Sequence, residues 1–164
     1  MTIHLGIDPG TTRIGYGVIE DSPTGVRPLA WGVITTEPGT DASLAKQQVR
    51  ALLTELIGTW RPASAAVERL FFMNNRRSAM SVGEMRGVIM LTLADHLIPT
   101  IEFTPLEIKQ RVCGNGRAQK AQVEKMVRLV LGIRERITPD DAADALAIAL
   151  CAAAASRPAV YGSN

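Results

Sequence analysis

Histidine and cysteine are scarce in this chain: among 164 residues there are two of each, His4, His96, Cys113 and Cys151. Neither histidine stands at ligand spacing from the other or from a cysteine, so a zinc site is not expected. The two cysteines fit no redox spacing and are read as reduced thiols. Long apolar runs are missing too, since the longest, Ala145 to Ala155, is too short to span a bilayer. The amino terminus enters a strand-like run without the basic and apolar regions of a secretion signal. A soluble, cytoplasmic protein with no membrane association is the expectation. A strong net charge is also lacking, at +2 overall, but the charge is unevenly spread. Between Lys109 and Arg128 six basic residues (Lys109, Arg111, Arg117, Lys120, Lys125 and Arg128) face Glu124 alone. From Arg69 to Arg86 four arginines face Glu84 alone. Such blocks suit a polyanionic partner, although a solvated helix face has the same composition.

What is present is an ordinary globular composition, 46% hydrophobic and 21% charged. No repeat, low-complexity segment or linker divides the chain. One domain over residues 1–157 is expected, with 158–164 as a disordered tail. Strand patterns occupy 3–8, 13–20 and 28–36, joined by short turns that imply antiparallel neighbours. A helical pattern follows over Asp41–Trp60, then a strand over 64–72, a long helix over about Arg77–Leu97 and a strand over 99–104. A short helix begins at Pro105, and the loop 113–118 leads into a helix over 119–131. A last helix starts near Pro139 and fades at Arg157. Strands separated by helices need right-handed crossovers and parallel pairing. The fold class is therefore α/β: a five-stranded mixed sheet, three antiparallel strands then two parallel, flanked by helices.

Acids stand where burial is expected. Asp8 closes the first strand, where it could be only a turn former. Glu68 lies in the apolar run of the fourth strand. If these strands are parallel neighbours, both acids reach the carboxyl edge of the sheet, where ligands collect in such folds. "ITPDDAADALAIAL" (137–150) adds three more at the head of an apolar helix. At about 100° per residue, Asp144 can share a direction with either Asp140 or Asp141. Converging carboxylates raise one another's pKa until some take up protons, unless a cation supplies the missing charge. An all-oxygen set suits Mg²⁺ or Mn²⁺. Two such ions about 4 Å apart support in-line phosphoryl displacement, here hydrolysis of a phosphodiester.

"GIDPGTTRIGYGVIE", "AVERLFF", "SAMSVGEMRGV", "IKQRVCGNGRAQKAQV" and "DDAADALAIAL" together resemble the RuvC family of bacterial Holliday-junction endonucleases, over about residues 3–150. The resemblance implies an RNase H-like fold and a homodimer. It also implies Mg²⁺-dependent nicking of two opposed strands of a four-way DNA junction, with two ions per site and Mn²⁺ as a substitute. The RuvA–RuvB branch-migration complex is the implied partner. By motif, the metal-binding and catalytic acids fall on Asp8, Glu68, Asp141 and Asp144, not on Asp140. Lys109 and Lys120 match catalytic basic residues, and Phe71, with Phe72 beside it, an aromatic that meets unstacked bases. Arg76, Arg77, Arg111 and Arg117 complete the expected DNA contacts. The chain departs from the family pattern at Asn74, where a basic residue is usual, and at Glu84, where glutamine is.

Gly83 and Gly87 form a GxxxG spacing in the long helix, a face expected to meet the partner subunit. Thr138 is expected to N-cap the last helix with Pro139 at its first position, and Asp141 to be drawn toward a capping box. Two other readings compete. A non-catalytic junction-binding module would bind in a salt-sensitive way without cutting. An actin-like ATPase fragment would explain "DPGTT" but needs a second domain.

Overall fold

In a computed structural model, residues 1–69 and 76–157 are described, the side chains of 76–78 excepted. The strands are β1 (Thr2–Asp8), β2 (Arg13–Ser22), β3 (Gly25–Thr35), β4 (Ser64–Glu68) and β5 (Thr100–Phe103). The helices are α1 (Ala42–Trp60), α2 (Arg76–Asp95), α3 (Pro105–Cys113), α4 (Lys120–Leu131) and α5 (Asp140–Ser156). The strands form one five-stranded sheet in the order β3-β2-β1-β4-β5. β1 pairs antiparallel with β2, and β2 with β3; β4 runs parallel to both β1 and β5. The expected mixed sheet is the observed one.

Side chains alternate across a strand, and here the alternation sorts two cores. Leu5, Ile7, Ile14, Val18, Ala65 and Val67 face α1 and α2. Ile19 and Ala66 belong to the opposite core, against α3, α4 and α5. α5 is buried nearly all round, with Ala142, Ala143, Ala145, Leu146, Ala147, Ile148 and Ala149 all inaccessible. A helix apolar on every side needs cover on every side, and the sheet beneath with α3 and α4 above provides it.

α5 also lies unusually close to the sheet. A Cβ placed on Gly6 would collide with the backbone of Ala145 and Ala149, and one on Gly15 with the carbonyl oxygen of Asp141. One on Gly17 would stand 2.8 Å from the Leu146 nitrogen. The seam therefore sets the strand glycines directly against the backbone of α5.

Local sequence accounts for most boundaries. Asp41 caps α1 by accepting from the Ser43 and Leu44 amides at 2.9 and 3.1 Å. Thr104 and Glu107 form a capping box at the start of α3, with Pro105 at the first helical position. Several boundaries differ from expectation, and β2 runs on to Ser22 rather than ending at 20. β3 begins at Gly25, directly across the turn from Ser22, because Gly25 adopts φ 131° and closes the hairpin early. β4 ends at Glu68 rather than at 72; residues 70–72 lie outside the described residues. α2 ends at Asp95, and Leu97 turns into the left-handed region at φ 56°. The N-cap of α5 is Pro139, extended at ψ 170°, with no side chain capping the helix. Thr138 therefore stands one residue outside, and Asp141 makes no capping box because it is the second helical residue and Pro139 has no backbone N–H to donate; its carboxylate accepts from Arg13. The expected tail, 158–164, lies outside the described residues.

Candidate active site

The alternation that sorts the cores also aims the acids. In the parallel β1–β4 register Ile7 stands opposite Val67, so the next pair along is Asp8 and Glu68. Both share the face of Gly6 and Ala66, toward α5. The glycine seam brings α5 down onto that face with its first turn beside them. Asp141 and Asp144 sit there half-buried, whereas Asp140 is exposed. Negative side chains at a helix N-terminus are favoured by the helix dipole, so this end of α5 tolerates acids.

The charges interact strongly. Burial first, then the charge of Glu68 and a shared hydrogen bond with it, push Asp8 from its ordinary 3.8 up to about 8. Asp144 and Asp141 add to that field. Glu68 is raised as well, by burial and by Asp144, against the bond from Asp8 and the pull of Lys120 and Lys109. The Asp8–Glu68 pair therefore holds a proton more tightly than separate, solvated carboxyls do.

Two basic side chains take up part of the remaining charge. Lys120 Nζ lies 2.8 Å from Asp144 Oδ2 and 3.7 Å from Asp140. Burial works against its charge, but the bond to Asp144 and the fields of Asp144, Asp140 and Asp8 outweigh it and raise its pKa. A lysine at the first residue of α4 opposes that helix's dipole, and the Asp144 contact offsets the cost. Arg13, at the start of β2, donates from Nε and Nη2 to Asp141 Oδ2 at 2.9 and 2.7 Å. Sequence reading missed Arg13, since its partner lies 128 positions away and no motif marks it.

Glu68, Asp144, Lys109 and Lys120 line one cavity of about 210 Å³ walled by Pro105, Ile108, Val123, Ala147 and Ile148. Asp8 and Asp141 are not among its lining residues but act on the cluster through their charge, Asp141 on Asp8 and Asp8 on Lys120. Among the described residues, no three acid, histidine or cysteine side chains already stand together at metal-ligand spacing. The donor set is all carboxylate, the chemistry of a hard divalent cation rather than of zinc.

Other expected DNA contacts are more dispersed. Arg117 is exposed in the α3–α4 loop. Arg111 stacks over the Phe103 ring at 4.8 Å and lines a separate cavity with Val26 and Cys151. Phe71 and Phe72 lie outside the described residues, as does Asn74, and the side chains of Arg76 and Arg77 are not described. Glu84 pairs with Lys46 at 2.6 Å.

Residues 4–152 match the family described as crossover junction endodeoxyribonuclease RuvC. A curated relative of that name from Moorella thermoacetica is 47% identical over 147 residues, covering 90% of this chain and 88% of the relative. The solved structure of Thermus thermophilus RuvC is 34% identical, with a TM-score of 0.86 and 93% of each chain covered. The same protein in complex with a Holliday junction substrate superposes at a TM-score of 0.88.

Proposed function

The chain belongs to the RuvC family, and from that premise we propose that it is a metal-dependent endonuclease that resolves four-way DNA junctions by paired, symmetric nicks in recombination and repair. The observation that carries this reading is the meeting of Glu68 and Asp144 with Lys109 and Lys120 around one cavity, beside Asp8 and Asp141. A pure binding module gains nothing from negative charge where phosphate must sit. The Asp8–Glu68 pair, driven to hold a proton, is an incomplete arrangement that a divalent cation completes.

Asp8, Glu68, Asp141 and Asp144 would hold the ions, two Mg²⁺ per site, with Mn²⁺ as a substitute. When bound, such ions lower the pKa of a water and stabilise the leaving oxygen of an in-line displacement. The chain's own residues do the rest. Asp8 would hold the ions as a carboxylate. Lys120, fixed between Asp144 and Asp140, and Lys109, on the cavity wall, present positive charge to the phosphate as negative charge develops on it. The apolar side chains of the wall lower the local polarity and so strengthen each of these interactions.

Around this centre, Arg76, Arg77, Arg111 and Arg117 would track the DNA backbone. Phe71 and Phe72 would stack on unpaired bases, worth about 1–3 kcal/mol per base. A junction has approximate two-fold symmetry and needs two cuts, which a homodimer supplies. We place the dimer contact on α2, where Gly87 opens onto free space and Met80 and Leu91 are exposed apolar groups. RuvA–RuvB is the proposed partner assembly. One experiment tests the core of this reading: a synthetic four-way junction labelled on opposed strands, incubated with protein and Mg²⁺ beside a linear duplex. Both labelled strands of the junction are expected to be nicked and the duplex spared. An intact junction under all divalent ions would leave only the binding module.

A further inference from the structure

Without a divalent cation the acidic cluster is balanced by stand-ins. Lys120 faces Asp144 at 2.8 Å, and Arg13 faces Asp141 at 2.7 Å. When a cation enters, these stand-ins are displaced, and the two basic side chains differ in what remains to them. Lys120 keeps Asp140, 3.7 Å away. Arg13 has Asp141 alone as an ion-pair partner among the described residues.

Its position decides what it meets next. β2 places Arg13 two residues beyond Gly15, which stands opposite Asp8. Arg13 is therefore at the rim of the strand edge that carries the acids. Its side chain is 52% exposed and that of Asp141 33%, so the pair opens outward without disturbing the core. An exposed pair of this kind shifts an equilibrium by no more than about fivefold. A planar guanidinium released at that rim suits a phosphate oxygen pair.

We propose that Arg13 exchanges partners: it neutralises Asp141 while the cluster lacks a divalent cation, and it turns to a DNA phosphate once the cation is bound. This couples loading of the site to grip on the substrate, and it rests on the nuclease reading above.

Two full-length variants, Arg13→Gln and Arg13→Lys, test it without any cleavage measurement. Mn²⁺ binding is followed by electron paramagnetic resonance in the absence of DNA. Binding of a synthetic four-way junction is followed by fluorescence anisotropy, with Ca²⁺ or with EDTA. Arg13→Gln is expected to bind Mn²⁺ roughly fivefold more tightly than wild type, because the competing cation has gone. In EDTA it binds the junction as wild type does. With Ca²⁺ it binds roughly fivefold more weakly, and the slope of log affinity against log salt falls by about one. Arg13→Lys, which keeps the charge, restores that slope. Unchanged or weaker Mn²⁺ binding by Arg13→Gln overturns the exchange, as does an equal loss of junction affinity with and without Ca²⁺. If wild type itself bound neither Mn²⁺ nor the junction, the nuclease reading would fall, and the exchange with it.

Discussion

The two ends of the β1–β4–α5 seam are built from the same strands and the same helix, yet they treat buried polar groups in opposite ways. At the far end His4 is buried and hydrogen-bonds Ser64 at 2.8 Å, while Ser156 lies 3.5 Å from the same hydroxyl. Asp21 takes two bonds from Arg157, at 3.0 and 2.6 Å, and is held below the usual carboxylate range chiefly by them. The acid there has its counter-charge, and the His4 Nε2 is a buried atom without a hydrogen-bond partner. At the near end Asp8 and Glu68 face each other and are raised instead. A packing requirement common to both ends cannot produce opposite electrostatics. The conflict at the near end is kept because something outside the chain relieves it, and buried conflict of this kind concentrates at functional sites.

The largest expected effect is on cleavage. Asp8→Asn, Glu68→Gln, Asp141→Asn or Asp144→Asn removes an acid from the near end. Each should cut the single-turnover rate on a four-way junction by roughly 10³-fold, the scale of several kcal/mol of lost transition-state stabilisation. The seam comes next. Gly15→Ala drives a methyl against the Asp141 carbonyl, so α5 must shift. Overpacking of this sort costs about 1–3 kcal/mol, and the shift displaces both aspartates. Lower thermal stability together with slower cleavage is expected, measured by calorimetry and gel assay.

The pH dependence of stability should have opposite signs at the two ends. Asp8 binds its proton more tightly folded than unfolded, with a value raised from 3.8 to about 8. Its contribution is present in full below the unfolded value and is lost as pH rises through the folded one. In EDTA, wild type should therefore lose stability between about pH 4 and 8, and Asp8→Asn should flatten that side of the curve. Burial lowers His4 below its ordinary 6.5, so its contribution is present above that value and lost as pH falls. His4→Gln should flatten the acid side alone. Thermal melts across the pH range read both, and parallel curves for wild type and Asp8→Asn would contradict the raised value. The smallest effect is expected from Asp140→Asn. Asp140 is exposed and pairs loosely with Lys120 and Arg136, at 3.7 and 3.6 Å. Its loss should change cleavage by no more than about fivefold.

Much of the near end was legible in the chain itself. Short turns indicated the antiparallel pairs and intervening helices the parallel ones, but the adjacency of β1 and β4 that brings Asp8 beside Glu68 stood only as a condition in the sequence. The choice of Asp141 over Asp140 needed the family motif, because both angles to Asp144 fit one helix face. In the structure Asp140 is exposed and Asp141 half-buried. The Gly6, Gly15 and Gly17 seam escaped notice, since single glycines in strands carry no mark of the helix that will lie over them. Arg13 escaped for a different reason: a contact made across the fold leaves no local pattern. The N-cap of α5 was misplaced at Thr138 because a hydroxyl before proline is a common start signal, whereas here Pro139 itself is extended.

Cleavage of a four-way junction by wild type, Asp8→Asn and His4→Gln, side by side in Mg²⁺, tests most directly where the chemistry resides. Wild type and His4→Gln should cut the junction at similar rates, and Asp8→Asn should leave it intact. Equal cutting by Asp8→Asn, or a folded but inactive His4→Gln, would place the reaction somewhere other than the acidic end of the seam.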